Sequence, residues 1–345
     1  MTQKRIRDYG IAVGHLKTGP RNKITDVAGV RVGHCTLTDP NHRTGVTVIE
    51  PCTDNIFSRK MIAACHVING FGKSAGLVQI SELGTLESPI ALTNTLNVGS
   101  VWDAVAAEMD RRCRQDHVEM HSLNPVVGEC NDAAFNRITD RPVREAHVLQ
   151  AMACASEDFE EGAVGAGAGT TCFGLKGGIG SASRRIEIAG GAYTLGVLVQ
   201  SNHGTLRNLT ISGRPVGLEI EKKLADISAE CDKGSIMMVV GTDLPVTSRQ
   251  LGRILRRCAA GLARSGSYYG HGSGDVVLGF TTANRLPYQG MPRLWPMEVL
   301  SENALEGAFE ACAEATEEAV LNSLVCAEGA VTLSGKQIHS LKEFL

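Results

Sequence analysis

Lys233-Gly234-Ser235-Ile236 sets a hydroxyl directly after the least hindered residue and directly before an apolar run, Ile236-Met237-Met238-Val239-Val240. That arrangement suits an N→O acyl shift. The Ser235 hydroxyl would attack the Gly234 carbonyl, the peptide would become an ester, and water would release a new chain beginning at Ser235. The freed α-amine would then lie beside its own hydroxyl. Its ordinary pKa of roughly 7.7–8.0 is close to the working pH that suits a general base. A terminal amine activating its own side-chain nucleophile is an arrangement attested for threonine. Glu221-Lys222-Lys223 through Cys231-Asp232-Lys233, just upstream, reads as a charged, turn-like stretch. Gly-Ser ahead of a strand is also ordinary turn chemistry, so the tetrapeptide has to be weighed with its company.

Three further polar clusters sit against apolar strands in glycine-rich contexts. Gly128-Glu129-Cys130-Asn131-Asp132 follows Pro125-Val126-Val127. Gln200-Ser201-Asn202-His203-Gly204 closes the apolar run from Leu195. Gly270-His271-Gly272-Ser273-Gly274-Asp275 leads into Val276-Val277-Leu278-Gly279-Phe280. Polar residues at strand ends, with glycines that let a substrate approach the backbone, are where sites form. Each cluster taken alone also fits a plain turn.

Other matches weaken on inspection. Gly72-Lys73-Ser74 ends like a phosphate loop, but position 67 is Val where that pattern requires Gly. Gly72-Lys73-Ser74-Ala75-Gly76 spells the hydrolase elbow Gly-x-Ser-x-Gly, which needs a helix after the serine. Leu77-Val78-Gln79-Ile80 reads as a strand instead. His117 and His121 have i, i+4 spacing but no evident third ligand, so a polar surface pair is expected there and not a zinc site.

The elements that must position these groups read as short Gly/Pro-punctuated strands in the first hundred or so residues, then strands mixed with long helices. Val30-Arg31-Val32 and Val46-Thr47-Val48-Ile49 read as strands. Ser100 is expected to cap a helix bearing Val101, Val105 and Met109, and another helix to follow Pro142. Thr247-Ser248-Arg249-Gln250 makes a capping box. The helix it opens carries Leu251, Ile254, Leu255, Cys258 and Leu262 on one face, with Gly266 as its stop. Ser301 is expected to start a long acidic helix with Leu305, Phe309, Cys312, Thr316, Ala319 and Val320 turned inward. Such a mixture fits helices outside stacked sheets.

The chain has 345 residues, 43% apolar and 21% charged, with a net charge of −3. It is long enough to bury a sizeable core. Its charge predicts no affinity for nucleic acid or acidic membranes. Arg249, Arg253, Arg256, Arg257 and Arg264 cluster without interleaved aromatics, as a solvated helix face does. The 11 cysteines include no Cys-x-x-Cys pair, which points to reduced thiols in a cytoplasm. No apolar run approaches membrane-spanning length, and the N-terminal residues lack a secretory h-region.

Taken together, the clusters resemble the family of self-processing L-aminopeptidase/D-amino-acid esterases and β-peptidyl aminopeptidases. The resemblance runs from Ile24-Thr25-Asp26-Val27-Ala28-Gly29-Val30-Arg31-Val32-Gly33-His34 through Asn69-Gly70-Phe71-Gly72-Lys73, Glu82-Leu83-Gly84-Thr85-Leu86-Glu87 and Ala91-Leu92-Thr93-Asn94-Thr95-Leu96. It continues in Gly169 to Gly180, the strand end at Asn202, Gly234-Ser235 and Ser273-Gly274-Asp275. It implies an α+β fold: a four-layer αββα sandwich like that of N-terminal-nucleophile hydrolases, differently connected. It also implies one catalytic domain, 1–345, self-cleaved into an α chain 1–234 and a β chain 235–345. These stay together and assemble further as a homo-oligomer, typically a tetramer of such pairs. Ser235 matches the family nucleophile, Asn202 its oxyanion donor, and Ser273 with Asp275 the pair that orients the nucleophile. Where some members carry a tyrosine, this chain has Asn131, a substrate-binding candidate that supplies no phenol.

The expected chemistry is hydrolysis of short peptides, amides or esters from their free amino end, with the Ser235 hydroxyl as nucleophile and its α-amine as base. Glu129 is the candidate for binding the substrate ammonium. No metal or organic cofactor is implied, and the only partners expected are a small peptide or amino-acid amide and further copies of the chain. Rival readings are a hydrolase of ω-amino-acid oligomers or D-amino-acid amides on the same architecture, a non-enzymatic small-ligand-binding protein, and a nucleotide-binding protein using Gly72-Lys73-Ser74.

Overall fold

Apolar runs with both faces covered build the centre of this molecule. The computed structural model describes residues 3–188, 190–224, 234–290 and 293–345. In chain order the first strands are β1 (Arg31–Thr38), β2 (Arg43–Glu50), β3 (Arg59–Gly70), β4 (Thr85–Leu86), β5 (Ile90–Asn94) and β6 (Val126–Cys130). They are followed by the short hairpin β7 (Thr171–Cys172) and β8 (Leu175–Lys176), then β9 (Ile179–Ile188), β10 (Gly191–Asn202), β11 (Ser235–Thr242) and β12 (Gly274–Pro287). The helices are α1 (Leu77–Leu83), α2 (Val98–Gln115), α3 (Glu145–Ala153), α4 (Val216–Lys223), α5 (Ser248–Leu255), α6 (Cys258–Ser265) and α7 (Glu306–Val325).

Four strands form one sheet in the order β1-β2-β5-β6, and six form a second in the order β4-β3-β12-β11-β10-β9. Alternate residues of the larger sheet enter different cores. Leu198, Met237, Val239, Val276 and Leu278 meet Val48, Leu92 and Val127 of the smaller sheet. Val197, Val199, Ile236, Met238 and Val277 pack instead with Ile254, Leu255, Ala315 and Leu321 of the helices. Helices α2 and α3 cover the outer face of the small sheet, and α5, α6 and α7 that of the large one. The result is the expected four-layer αββα sandwich. It also explains why Ile236 to Val240 is continuously apolar rather than alternating: every residue of β11 is buried, as in a strand covered on both faces.

Several local expectations give way. Leu77-Val78-Gln79-Ile80 is helical, not extended. Gly76 at φ +87° turns the chain into α1, and Gly84 at φ +64° ends it with its N–H on Ile80 O. Helix α2 begins at Val98 after Asn97, so Ser100 lies in its first turn, donating to Asn97 O at 3.0 Å. The capping box at Thr247 is present as expected, but its helix breaks at Arg256-Arg257 into α5 and α6. Arg249 and Arg253 there pair with Glu302, and Arg253 and Arg257 lie over the Phe309 ring at 5.1 and 3.9 Å. Helix α7 is not one-sided, since all of Ala311 to Val325 is buried. Its carboxylates Glu314 and Glu318 meet the fully buried Arg184 at 2.8 and 2.7 Å. Burial would raise the Glu318 carboxyl, but Arg7 and Arg184 outweigh it and hold it below the usual range. The charged stretch upstream of Ser235 ends α4 at Lys223, and its remainder from 225 through Lys233 lies outside the described residues.

Candidate active site

Ser235 heads β11 in the middle of the large sheet, 7% exposed. Its antiparallel partner is Asn202 and its parallel partner is Gly274, whose N–H donates to Ser235 Oγ at 3.2 Å. Gly234 runs against the end of β10. A Cβ at that position would lie 1.8 Å from Asn202 O, so the residue before the serine has to be glycine for a reason of packing.

Directly opposed residues in an antiparallel pair put their side chains on the same face. Asn202 therefore stands beside Ser235, with Met237, on the face toward the small sheet. The Asn202 amide is oriented by one hydrogen bond: Thr171 N–H donates to Oδ1 at 2.9 Å. That assigns oxygen and nitrogen and leaves Nδ2 as the donor end of the group.

Ser273 and Asp275, both fully buried, are joined by Ser273 Oγ donating to Asp275 Oδ1 at 2.6 Å. Asn69 Nδ2 holds the loop ahead of them, donating to Gly270 O at 3.1 Å, to His271 O at 3.3 Å and to Ser273 O. Asp275 is the register partner of Ile236, so alternation turns it to the helix-covered face, opposite Ser235 Oγ. The backbone nitrogen of Ser235 lies in the plane of the sheet, between the two faces. Tyr269 stands near this carboxylate, and burial first, then the charge of Asp275, raises its phenol.

Glu129, 2% exposed, accepts from Lys73 N at 2.9 Å and from the Thr95 hydroxyl. Gly72 links it to the nucleophile's neighbour: a Cβ on Gly72 would lie 3.8 Å from both Glu129 Oε1 and Gly274 Cα. Asn131 is exposed, and its Oδ1 takes the Ala133 N–H at 3.0 Å in a local turn. Cys130, between them, is buried with its Sγ donating to Gln200 O at 3.4 Å and Ser235 O at 3.5 Å. Burial pushes this thiol well above its ordinary range, which suits a positioning contact better than a nucleophile.

Ser235, Asn202, Ser273 and Asp275 thus gather at the heads of β11 and β12, with Glu129 approaching them across Gly72, while Asn131 turns onto its own loop. Residue types and spacing alone give Thr171, Asn69 and Cys130 no role. Each acts through tertiary register, which motif spacing does not reveal. Ser74, in the elbow-like pentapeptide, does precede a helix, but its hydroxyl meets Met237 Sδ at 3.5 Å. His15, Glu310 and Glu314 approach one another on the outer helix layer. There Glu314 already takes the His15 and Leu16 N–H groups and Arg184. No helix among the described residues is long and apolar enough to cross a membrane.

Residues 22–338 match the profile of peptidase family S58. The chain is 36% identical to the beta-peptidyl aminopeptidase BapA of Sphingosinicella microcystinivorans, over 98% of this chain and 89% of that protein. Among solved structures, a protein of Pyrococcus horikoshii OT3 superposes with a TM-score of 0.92 at 43% identity, covering 98% and 96% of the two chains. A Burkholderia sp. beta-aminopeptidase gives 0.90 at 38%, covering 98% and 96%. The L-aminopeptidase D-Ala-esterase/amidase of Ochrobactrum anthropi, described as a variant of the Ntn hydrolase fold, gives 0.90 at 34%, covering 98% and 95%.

Proposed function

This chain belongs to peptidase family S58 and is a serine aminopeptidase/amidase, and from that premise we propose that it matures by breaking its own Gly234–Ser235 bond. In the processed enzyme Ser235 Oγ attacks the scissile carbonyl while its α-amine takes the hydroxyl proton. Asn202 Nδ2 donates to the oxyanion that develops. The leaving amine departs with the proton, the acyl group rests as an ester on Ser235, and water repeats the sequence to free the acid. Asp275 and Ser273 act on the amine, not on the hydroxyl, because the carboxylate occupies the other face of the sheet. Glu129 receives the substrate's ammonium beside Gly72, so short peptides, amides or esters are cut from the free amino end.

The observation that carries this reading is the head of β11, where Ser235 Oγ stands beside an Asn202 amide of fixed orientation and Gly234 is pressed onto the Asn202 carbonyl. Denaturing mass spectrometry of purified active protein tests it. Two polypeptides, 1–234 and 235–345, are expected, the second beginning Ser-Ile-Met-Met. A single intact chain with full activity would sink the α-amine mechanism.

Preference for β-aminoacyl substrates is a second reading, supported by the names of the BapA and Burkholderia relatives. A panel of β-alanyl, L-alanyl and D-alanyl p-nitroanilides separates it from α-peptide or D-amide hydrolysis. Further association of processed pairs, and a reducing cytoplasmic setting for the cysteines, which are free among the described residues, complete the proposal.

A further inference from the structure

Lys176, on β8, is fully buried, and among the described residues its ammonium meets carbonyl oxygens in place of a carboxylate. Its ammonium donates to three carbonyls: Thr170 O at 2.8 Å, Gly177 O at 2.9 Å and Gly167 O at 3.2 Å. Its own backbone N–H is held by His339 O, and its Nζ lies 5.3 Å from the centre of the Phe135 ring. Burying such a charge is costly, and a neutral side chain of similar length would fill the volume.

The Thr170 carbonyl that receives this ammonium and the Thr171 N–H that orients Asn202 belong to the same peptide group. That unit is planar and rigid. The ammonium and the Gly177 N–H, at 2.8 and 3.1 Å from its oxygen, together fix the direction of its N–H, and the cation strengthens it as a donor, as hydrogen bonds in series polarise one another. We infer that Lys176 is a positioning residue of the oxyanion site, aiming Asn202 Nδ2 through the Thr170–Thr171 peptide. The inference rests on the oxyanion role proposed above for Asn202.

Two charged groups bear on Lys176: Arg43 from β2, and Asp132 just after β6. Burial and Arg43 push its ammonium down to about 7, with Asp132 opposing them. Burial in turn raises Asp132 to about 6, against its hydrogen bonds from Thr44 and Asn136. The Lys176 charge lowers Asp132 in its turn, so each group favours the charged form of the other. As pH rises past neutrality Lys176 loses its proton, so kcat should fall along an alkaline limb. Removing the Asp132 charge should move that limb to lower pH.

Lys176→Met, with folding checked by circular dichroism, should lower kcat by up to about 10²-fold, the scale of a small misplacement near the reacting atoms, with KM little changed. In an Asn202→Ala background the same substitution should cost little more, since the two groups act in series. Asp132→Asn leaves Lys176 and its carbonyl contacts in place, and decides the matter through the alkaline limb even if Lys176→Met fails to fold. Wild-type kcat in folded Lys176→Met, full additivity with Asn202→Ala, or an unmoved limb in Asp132→Asn would overturn the inference. Wild-type kcat in Asn202→Ala alone would instead fault the oxyanion assignment.

Discussion

At Gly234 the requirements of packing and of self-cleavage fall on one residue. The acyl shift needs an unhindered carbonyl ahead of the serine, and the fold needs a residue with no side chain where the backbone meets Asn202 O. An alanine there would force a methyl to 1.8 Å from that oxygen, so backbone has to move on one side or the other. Movement of the β11 head carries the Gly234 carbonyl away from Ser235 Oγ. Gly234→Ala should therefore accumulate as the intact chain, with only slow appearance of 235–345 on denaturing gels over days. Cleavage at the wild-type rate would show that the close approach is irrelevant to processing. The Gly-Ser pair itself was legible in the sequence as a candidate cleavage site. The orientation of Asn202 was not, because the N–H that sets it comes from a residue 31 positions away on β7, and no spacing rule links the two.

Among the elements, α7 shows what a pattern of charges hides. The sequence turns only Leu305, Phe309, Cys312, Thr316, Ala319 and Val320 of this acidic helix inward, yet Glu314 and Glu318 point into a buried cluster with Arg184, Arg7 and Asn22 that ties the N-terminal segment to the helix. A helical stripe predicts which residues share a face, not whether an arginine from another strand waits there. Helix α1 failed for a related reason. Periodicity alone cannot tell a short apolar run as strand or helix, and its Val and Ile favour a strand, but the choice falls to flanking glycines whose left-handed backbone is a tertiary outcome. By contrast, the capping box at Thr247 was legible to the residue because its partners lie within one turn. Breaking a buried ion pair by removing one member costs about 3–5 kcal/mol. Arg184→Met should accordingly lose a large part of its unfolding free energy in urea, while activity per folded molecule persists because Arg184 lies across the sheet from Ser235. Near-wild-type stability would mean that water reaches those carboxylates.

On the scale of the whole molecule, the proposed break divides the chain in sequence without dividing it in space. The piece beginning at Ser235 supplies β11 and β12, and the sheet order places both between strands of the other piece. On one side β11 pairs with β10 from Ser235↔Asn202 to Thr242↔Leu195, and on the other β12 pairs with β3 from Gly274↔Gly70 onward. Helices α5, α6 and α7 of the same piece cover a face to which both pieces contribute. Strand, helix and strand could be read from the sequence, but not the break of that helix in two, nor the insertion of the unit into the middle of a sheet built from earlier strands, since strand order depends on long-range pairing. Separating the two polypeptides means breaking both ladders and exposing both cores at once. The processed protein should therefore run as two bands on a denaturing gel yet elute as a single species in size exclusion, and both polypeptides should unfold in one cooperative urea transition. Release of 235–345 in native buffer, or two separate transitions, would show that the pieces are docked neighbours and not one interlocked sheet.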